Sequence, residues 1–308
     1  MINRALIRIK VVQMVYAYYM SDSKDLAKAE KEFFHSIEKA ADLYHYLLQL
    51  INAETHYASL RIDTARNKYL PSEEEKNPNT RFIDNAFANQ LAKNKALNTY
   101  LNNTKMSWVN NEAFLKSLYE NLQTSDFYLE YMNAPEVSYE ADQELWRKIF
   151  KALLQKNEDL PELLEEQSIY WNDDLDIILT FVMKTIKRFS PTNGANQELL
   201  PMFKDETDRT FASNLFCAAI RNRDKYRALI DDAVRNWELE RLAVMDLLIL
   251  QVALAEIMEI DGIPVNVSLN EYIDIAKVYS TQKSGLFVNG TLDHIVTELR
   301  KENRLFKA

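Results

Sequence analysis

Along most of this chain apolar side chains recur three and four positions apart, the spacing of a helix with one buried face. The first such stretch runs from about Asn3 to Met20, where Val11 and Val15 continue nearly the same stripe as Arg4 and Arg8. Lys10 projects from another side. After a turn at Ser21 to Asp25, a long amphipathic helix is expected from about Leu26 to Tyr69, with room for one break. Its aromatic pairs, Phe33/Phe34 and Tyr44/Tyr46, read as core and core-edge residues. Further helical stretches cover about Arg81–Leu101, Trp108–Leu122, Ser125–Met132, Ala141–Gln155 and Asp174–Phe189, and breaks at Pro135, Pro161 and Pro191 separate some of them. Two polar, proline-bearing runs read as linkers, Leu70 to Thr80 and Ser190 to Pro201. From Glu206 the pattern is helical again. Leu242 to Ile260 is apolar almost all round, as in a helix buried on most sides. Asp261-Gly262 ends it and Pro264 blocks a restart. Ser268-x-x-Glu271 reads as a capping box that opens the next helix. The last helix begins near Leu286.

Composition sharpens this to an all-α chain. There are four glycines in 308 residues, and the first is Gly194. Tight β-turns need φ > 0, so a glycine-free stretch of that length builds few of them. The single cysteine, Cys217, rules out a disulfide framework and suits a reducing compartment; among apolar neighbours it reads as a buried thiol. No signal peptide and no run of about 18 apolar residues is visible, which suits a cytoplasmic protein with no membrane contact. Net charge is −9, unevenly spread. Residues 1–20 carry +3 and no acid, whereas Glu136 to Asp176 holds 12 acids against 4 bases. Four glycines build no phosphate-cradling or dinucleotide loop. The four histidines are scattered, and the carboxylate clusters sit at polar helix ends, where they complement helix dipoles. Nothing points to catalysis, a metal or a cofactor.

One segment stands out: "SGLFVNGTLDHI", Ser284 to Ile295, holds two of the four glycines. Gly290 lies inside a helical pattern at a cost of about 1 kcal/mol against alanine. Either a neighbouring helix packs closely there, or a partner or nucleic-acid backbone does. "FVNGTLDHI", with "VNVSLNEYIDIAKVYSTQKSGL" before it, resembles the C-terminal signature of the NusB family of bacterial transcription antitermination factors. "ERLAVMDLLILQVALAEI" and "DRTFASNLFCAAI" resemble that family's preceding helices. "RALIRIKVVQMVYAYYMS" resembles its arginine-rich first helix, with Gln13, Val15 and Tyr16 meeting its pattern. The resemblance covers residues 1–60 and 206–308, which leaves 61–205 as an inserted acidic helical region. It implies a fold of two small helical bundles with an additional inserted domain, and no enzyme activity. It further implies binding of boxA-type single-stranded RNA from ribosomal RNA leaders, together with NusE, a small-subunit ribosomal protein, and support of read-through by RNA polymerase.

Residue by residue, the resemblance puts Arg4, Arg8 and Lys10 on the RNA-facing first helix, where cations neutralise phosphates. Phe287 and Asn289 fall at a site where a ring could stack on an unpaired base, with Lys283 adding a phosphate contact. Phe287 reads equally as a core residue. For NusE the resemblance indicates Tyr16 and the acids Glu240 and Asp246. Where arginines are common in the family's first helix, this chain has Ala5 and Leu6. That thinning and the net charge suit a second reading, a protein-interaction scaffold of NusB-like fold that has lost RNA binding. The acidic insert is expected to lie away from RNA or to bind protein. The RNA reading requires the opening helix and the Phe-Val-Asn-Gly segment to be close in space.

Overall fold

In the computed structural model, residues 2–22, 24–234, 243–281 and 283–307 are described. Among them the chain is all-helical, and its sole β-type pairing is one isolated bridge between Ile2 and Phe203. In chain order the α-helices are α1 (Arg4–Met20), α2 (Leu26–Arg66), α3 (Glu73–Lys76), α4 (Ala86–Ala92), α5 (Lys95–Thr104), α6 (Glu112–Gln123), α7 (Asp126–Asn133), α8 (Tyr139–Ile149), α9 (Asp159–Gln167), α10 (Leu175–Arg188), α11 (Glu206–Arg221), α12 (Arg223–Ala233), α13 (Val244–Glu259), α14 (Val265–Tyr279) and α15 (Ser284–Lys301). The chain forms two compact units, Met1–Glu38 with Met202–Ala308, and Lys39–Pro201. The long α2 is unbroken and contributes to both.

The first unit is built around α13. Every residue from Asp246 to Ile257 is buried, as the all-round apolar run requires. α1, α11, α12, α14 and α15 all pack on it. Phe33 from α2 stacks on Phe216 of α11 with ring centroids 4.8 Å apart. α1 opens at Asn3, whose side chain accepts the backbone N–H of Leu6 at 2.9 Å. It closes under Lys24, whose ammonium donates to the carbonyls of Tyr18, Tyr19 and Ser21, a cation on the negative end of the helix dipole. Two local expectations fail after α13. Pro264 does not delay the next helix but stands at its N-cap position, with α14 starting at Val265; proline's fixed φ suits a helix start. Ser268 and Glu271 form no capping box, because α14 has already begun at Val265 and both lie inside it, their side chains bonded to partners described below.

The second unit has an aromatic core. Tyr46 stacks on Trp108 at 4.3 Å, and the Trp108 indole donates to the Tyr46 carbonyl at 2.8 Å. Its asparagines do work that glycine or serine often does at helix ends. Buried Asn85 and Asn94 cap α4 and α5, each accepting a backbone N–H at 2.9 Å. The linker expected at 70–80 carries a short helix, α3, with a capping box between Ser72 and Glu75. Glu54 of α2 is fully buried with neither carboxylate oxygen bonded, and burial pushes its pKa up to about 9. The unit carries 17 basic and 24 acidic residues, net −7, against −2 for the first unit.

Candidate RNA-binding face

The cations of α1 separate on folding. Arg4, in the first turn, keeps 41% of its side chain exposed while donating to Asp208 at 3.0 Å, and its guanidinium lies 5.0 Å over the Phe211 ring. Arg8 points into the bundle. Its Nε and Nη2 donate to the two carboxylate oxygens of Glu256, each at 2.8 Å, and Nη1 lies 3.2 Å from Glu271. Ser268 and Tyr272 donate to the same Glu256 carboxylate at 2.7 and 3.0 Å. Burial opposes the Arg8 charge, and Glu256 more than offsets it, so its pKa is raised. This guanidinium is committed to carboxylates inside the unit and is not presented to a phosphate. Lys10 is also buried, at 2% exposure. The expectation that both meet RNA is therefore corrected: Arg8 is turned to Glu256 and Glu271, and Lys10, on another side of the helix, is buried as well.

At the other end of the chain, α15 starts two residues earlier than its pattern indicated, at Ser284. The Ser284 hydroxyl donates to Asp246 at 3.0 Å and accepts the Thr281 backbone N–H at 3.0 Å, which pins this terminus to the start of α13. Gly285 is where close packing occurs. A Cβ there would sit 2.9 Å from Cγ of Lys277 and 3.7 Å from the Ile273 carbonyl. Gly290 is different: it is exposed, and a Cβ would meet nothing within 4 Å. A neighbouring helix does not account for it among the described residues. Around it α15 presents Lys283, Leu286 and Asn289 to solvent, with Phe287 half-buried beside them. Leu286 is 80% exposed, and Val278 at the end of α14 is 75% exposed. Exposed Asp293 ends the strip one turn on.

α1 and α15 share α13 as their floor. They also share α14, whose Glu271 faces Arg8 while its Ile273 and Lys277 face Gly285. Residues 271 and 277 are about 9 Å apart along a helix axis. Of the partner-facing residues, Tyr16 is 41% exposed on α1. Asp246 does not face outward as expected but is 6% exposed and holds Ser284. Glu240 lies outside the described residues. What the sequence reading missed is the support beneath this face: Glu256, Ser268, Glu271 and Tyr272. The available signal was polar residues at 246, 251 and 256 inside an otherwise apolar helix, which a buried helix tolerates only with bonded partners. No helix among the described residues is long and apolar enough to cross a membrane.

Such a body, with one helix buried at its centre and an exposed face of mixed apolar, amide and basic groups, defines an all-helical bundle protein. The NusB family profile matches residues 182–297. The chain is similar to the transcription antitermination protein NusB of Salinibacter ruber, with 36% identity over 132 residues, 41% of this chain and 82% of that protein. It is similar to the transcription antitermination protein NusB of Listeria monocytogenes serotype 4a, with 37% identity over 103 residues, 33% of this chain and 80% of that one. A solved structure of T. maritima NusB aligns at 29% identity over 51% of this chain and 91% of its own, with a TM-score of 0.29. The chain belongs to the NusB family.

Proposed function

We propose that this member of a transcription antitermination family binds boxA-type single-stranded RNA of ribosomal RNA leaders, together with NusE, and supports read-through by RNA polymerase. The observation that carries the reading is the open space over Gly290. A mid-helix glycine costs about 1 kcal/mol, and no part of the described chain uses the room it leaves. An RNA backbone passing over α15 would use it. Lys283 then supplies a phosphate contact, Asn289 a donor and an acceptor, and Phe287 with Leu286 an apolar surface for unstacked bases. Arg4 adds a second phosphate contact from α1. Tyr16 and Glu240 are the residues proposed for NusE. The role proposed for the protein is regulatory and cytoplasmic, and the acidic unit is proposed to carry protein contacts away from RNA.

One observation favours the scaffold reading: two of the three cations of α1 are buried. A salt titration of boxA RNA binding, with and without NusE, separates the two. Lys283→Gln and Arg4→Ala should each flatten the slope of log K against log salt by about 0.7. Absent or salt-independent binding by the unaltered protein, with and without NusE, overturns the RNA reading and leaves the scaffold.

A further inference from the structure

A second cationic site lies in the first unit, on α12. Arg223 and Arg227 are one turn apart on α12, so their side chains share a face. The Arg223 guanidinium lies 5.0 Å over the ring of Tyr19, near the end of α1. The Tyr19 hydroxyl accepts from Gln251 of α13 at 2.8 Å, and Gln251 is fixed by a second bond of 2.8 Å to the Ala219 carbonyl. The tyrosine is thus held rigidly between α1, α12 and the central helix.

The two arginines lack what other cations of this unit have. Arg4 is paired with Asp208, Arg8 with Glu256 and Glu271, and Lys225, between the two arginines, with Glu259 at 2.9 Å. Neither Arg223 nor Arg227 forms an ion pair among the described residues, and Nε of Arg227 is buried with no acceptor. Burial, and then the Arg223 charge beside it, holds the Arg227 pKa below its ordinary value; Asp231 and Tyr19 oppose this. Arg223 is exposed and Arg227 half-buried; two like charges kept close, one of them partly desolvated with a donor left over, are relieved by an oxyanion that accepts from both forks.

We propose that Arg223 and Arg227, backed by Tyr19, form a phosphate-binding site. The shared chemistry is a tetrahedral phosphate oxyanion, either a phosphodiester of bound RNA or free inorganic phosphate. On α1, Tyr19 stands 15 residues from Arg4, about 22 Å along the axis, so an RNA strand using both this site and Arg4 would run along most of that helix. The site stands on its own geometry and does not need that strip to bind RNA.

The test uses the full chain, a labelled single-stranded RNA carrying boxA with flanking leader sequence, and a KCl series. Arg223→Gln with Arg227→Gln should lower the slope of log K against log[KCl] by about 1.4, or 0.7 per phosphate. Arg223→Lys with Arg227→Lys should keep the slope, which separates lost charge from a disturbed fold. In parallel, inorganic phosphate is titrated at constant ionic strength, and the arginine Nε–Hε resonances are followed by NMR. An unchanged RNA slope with saturable phosphate-induced shifts, absent in the double Gln variant, assigns the site to free phosphate. No change in slope and no saturable shift overturns the proposal, whatever happens at Lys283.

Discussion

Arg8 offers the sharpest test of how the basic opening helix is used. Arg8→Met removes a guanidinium that makes two charge-assisted bonds to a fully buried carboxylate. The third contact, to Glu271, is partly exposed and adds at most about 1 kcal/mol. Removing one member of a buried ion pair leaves the other uncompensated and costs about 3–5 kcal/mol. Spread over the 308-residue chain, that corresponds to a fall in Tm of roughly 5–8 °C. The loss should be mainly the cost of Glu256 left charged. Arg8→Met with Glu256→Gln should therefore be more stable than Arg8→Met alone, because the amide carries no charge, its oxygen still accepts from one of the two hydroxyls and its NH2 can donate to the other, Ser268 and Tyr272 being bonded to different oxygens of Glu256. Urea unfolding of the wild type, the two single variants and the double variant measures the coupling. A loss below about 1 kcal/mol for Arg8→Met, or a double variant weaker than Arg8→Met, would refute the view that Arg8 is an internal brace. The same series separates bracing from RNA contact, since Arg4→Ala should change the salt slope with little effect on stability.

Three further outcomes follow from other positions. Gly290→Ala should stabilise the protein by up to about 1 kcal/mol, visible as a higher Tm, while weakening RNA binding; a lower Tm would mean that the space over Gly290 is not open. Glu54→Gln should stabilise the protein by about 3 kcal/mol at pH 7. The folded state holds the Glu54 proton from its ordinary pKa of 4.5 up to about 9, so this group costs stability increasingly as pH rises through that window. Urea midpoints for wild type and variant should accordingly agree near pH 4 and diverge towards pH 9, and parallel curves would remove Glu54 as the cause. Asp246→Lys should unfold or loosen the start of α15, because Asp246 holds Ser284; a variant with wild-type stability but no NusE binding would instead restore Asp246 to the partner surface.

The helices were legible because their signal is local. Glycine scarcity excluded tight turns, and the three-and-four spacing placed α1, α2, α10 and α13 to within a few residues. The face of α15 was partly legible for the same reason: Asn289 and Gly290 fall outside the apolar stripe of Val288, Leu292 and Ile295, so their exposure follows from spacing alone. The direction of the α1 cations was not legible. Arg4 and Arg8 share a stripe with Val11 and Val15, and that stripe is the buried one. Periodicity said as much. A charged residue on an apolar stripe is nevertheless ambiguous until its counter-ion is known, and Glu256 lies 248 positions away. The capping-box misreading has the same origin. Ser268 and Glu271 have the right local spacing, yet the bonds they make to Glu256 and Arg8 belong to the tertiary structure.

The buried brace also changes how a thin arginine helix is to be understood. If the first helix contributed affinity by charge count, having uncharged Ala5 and Leu6 beside Arg4 and burying Arg8 and Lys10 would leave it almost inert. In this structure the second arginine instead ties α1 through Glu256 to α13, and through Glu271 to α14. α14 in turn carries the close contact at Gly285 that seats α15. One guanidinium thus fixes the helix bearing Arg4 relative to the helix that follows Lys283 and bears Asn289. The contribution of Arg8 to RNA binding would then be geometric, through the positions of other groups. A substitution that keeps the fold but loosens this tie should raise the Kd without altering the salt slope, whereas loss of a phosphate contact must alter it.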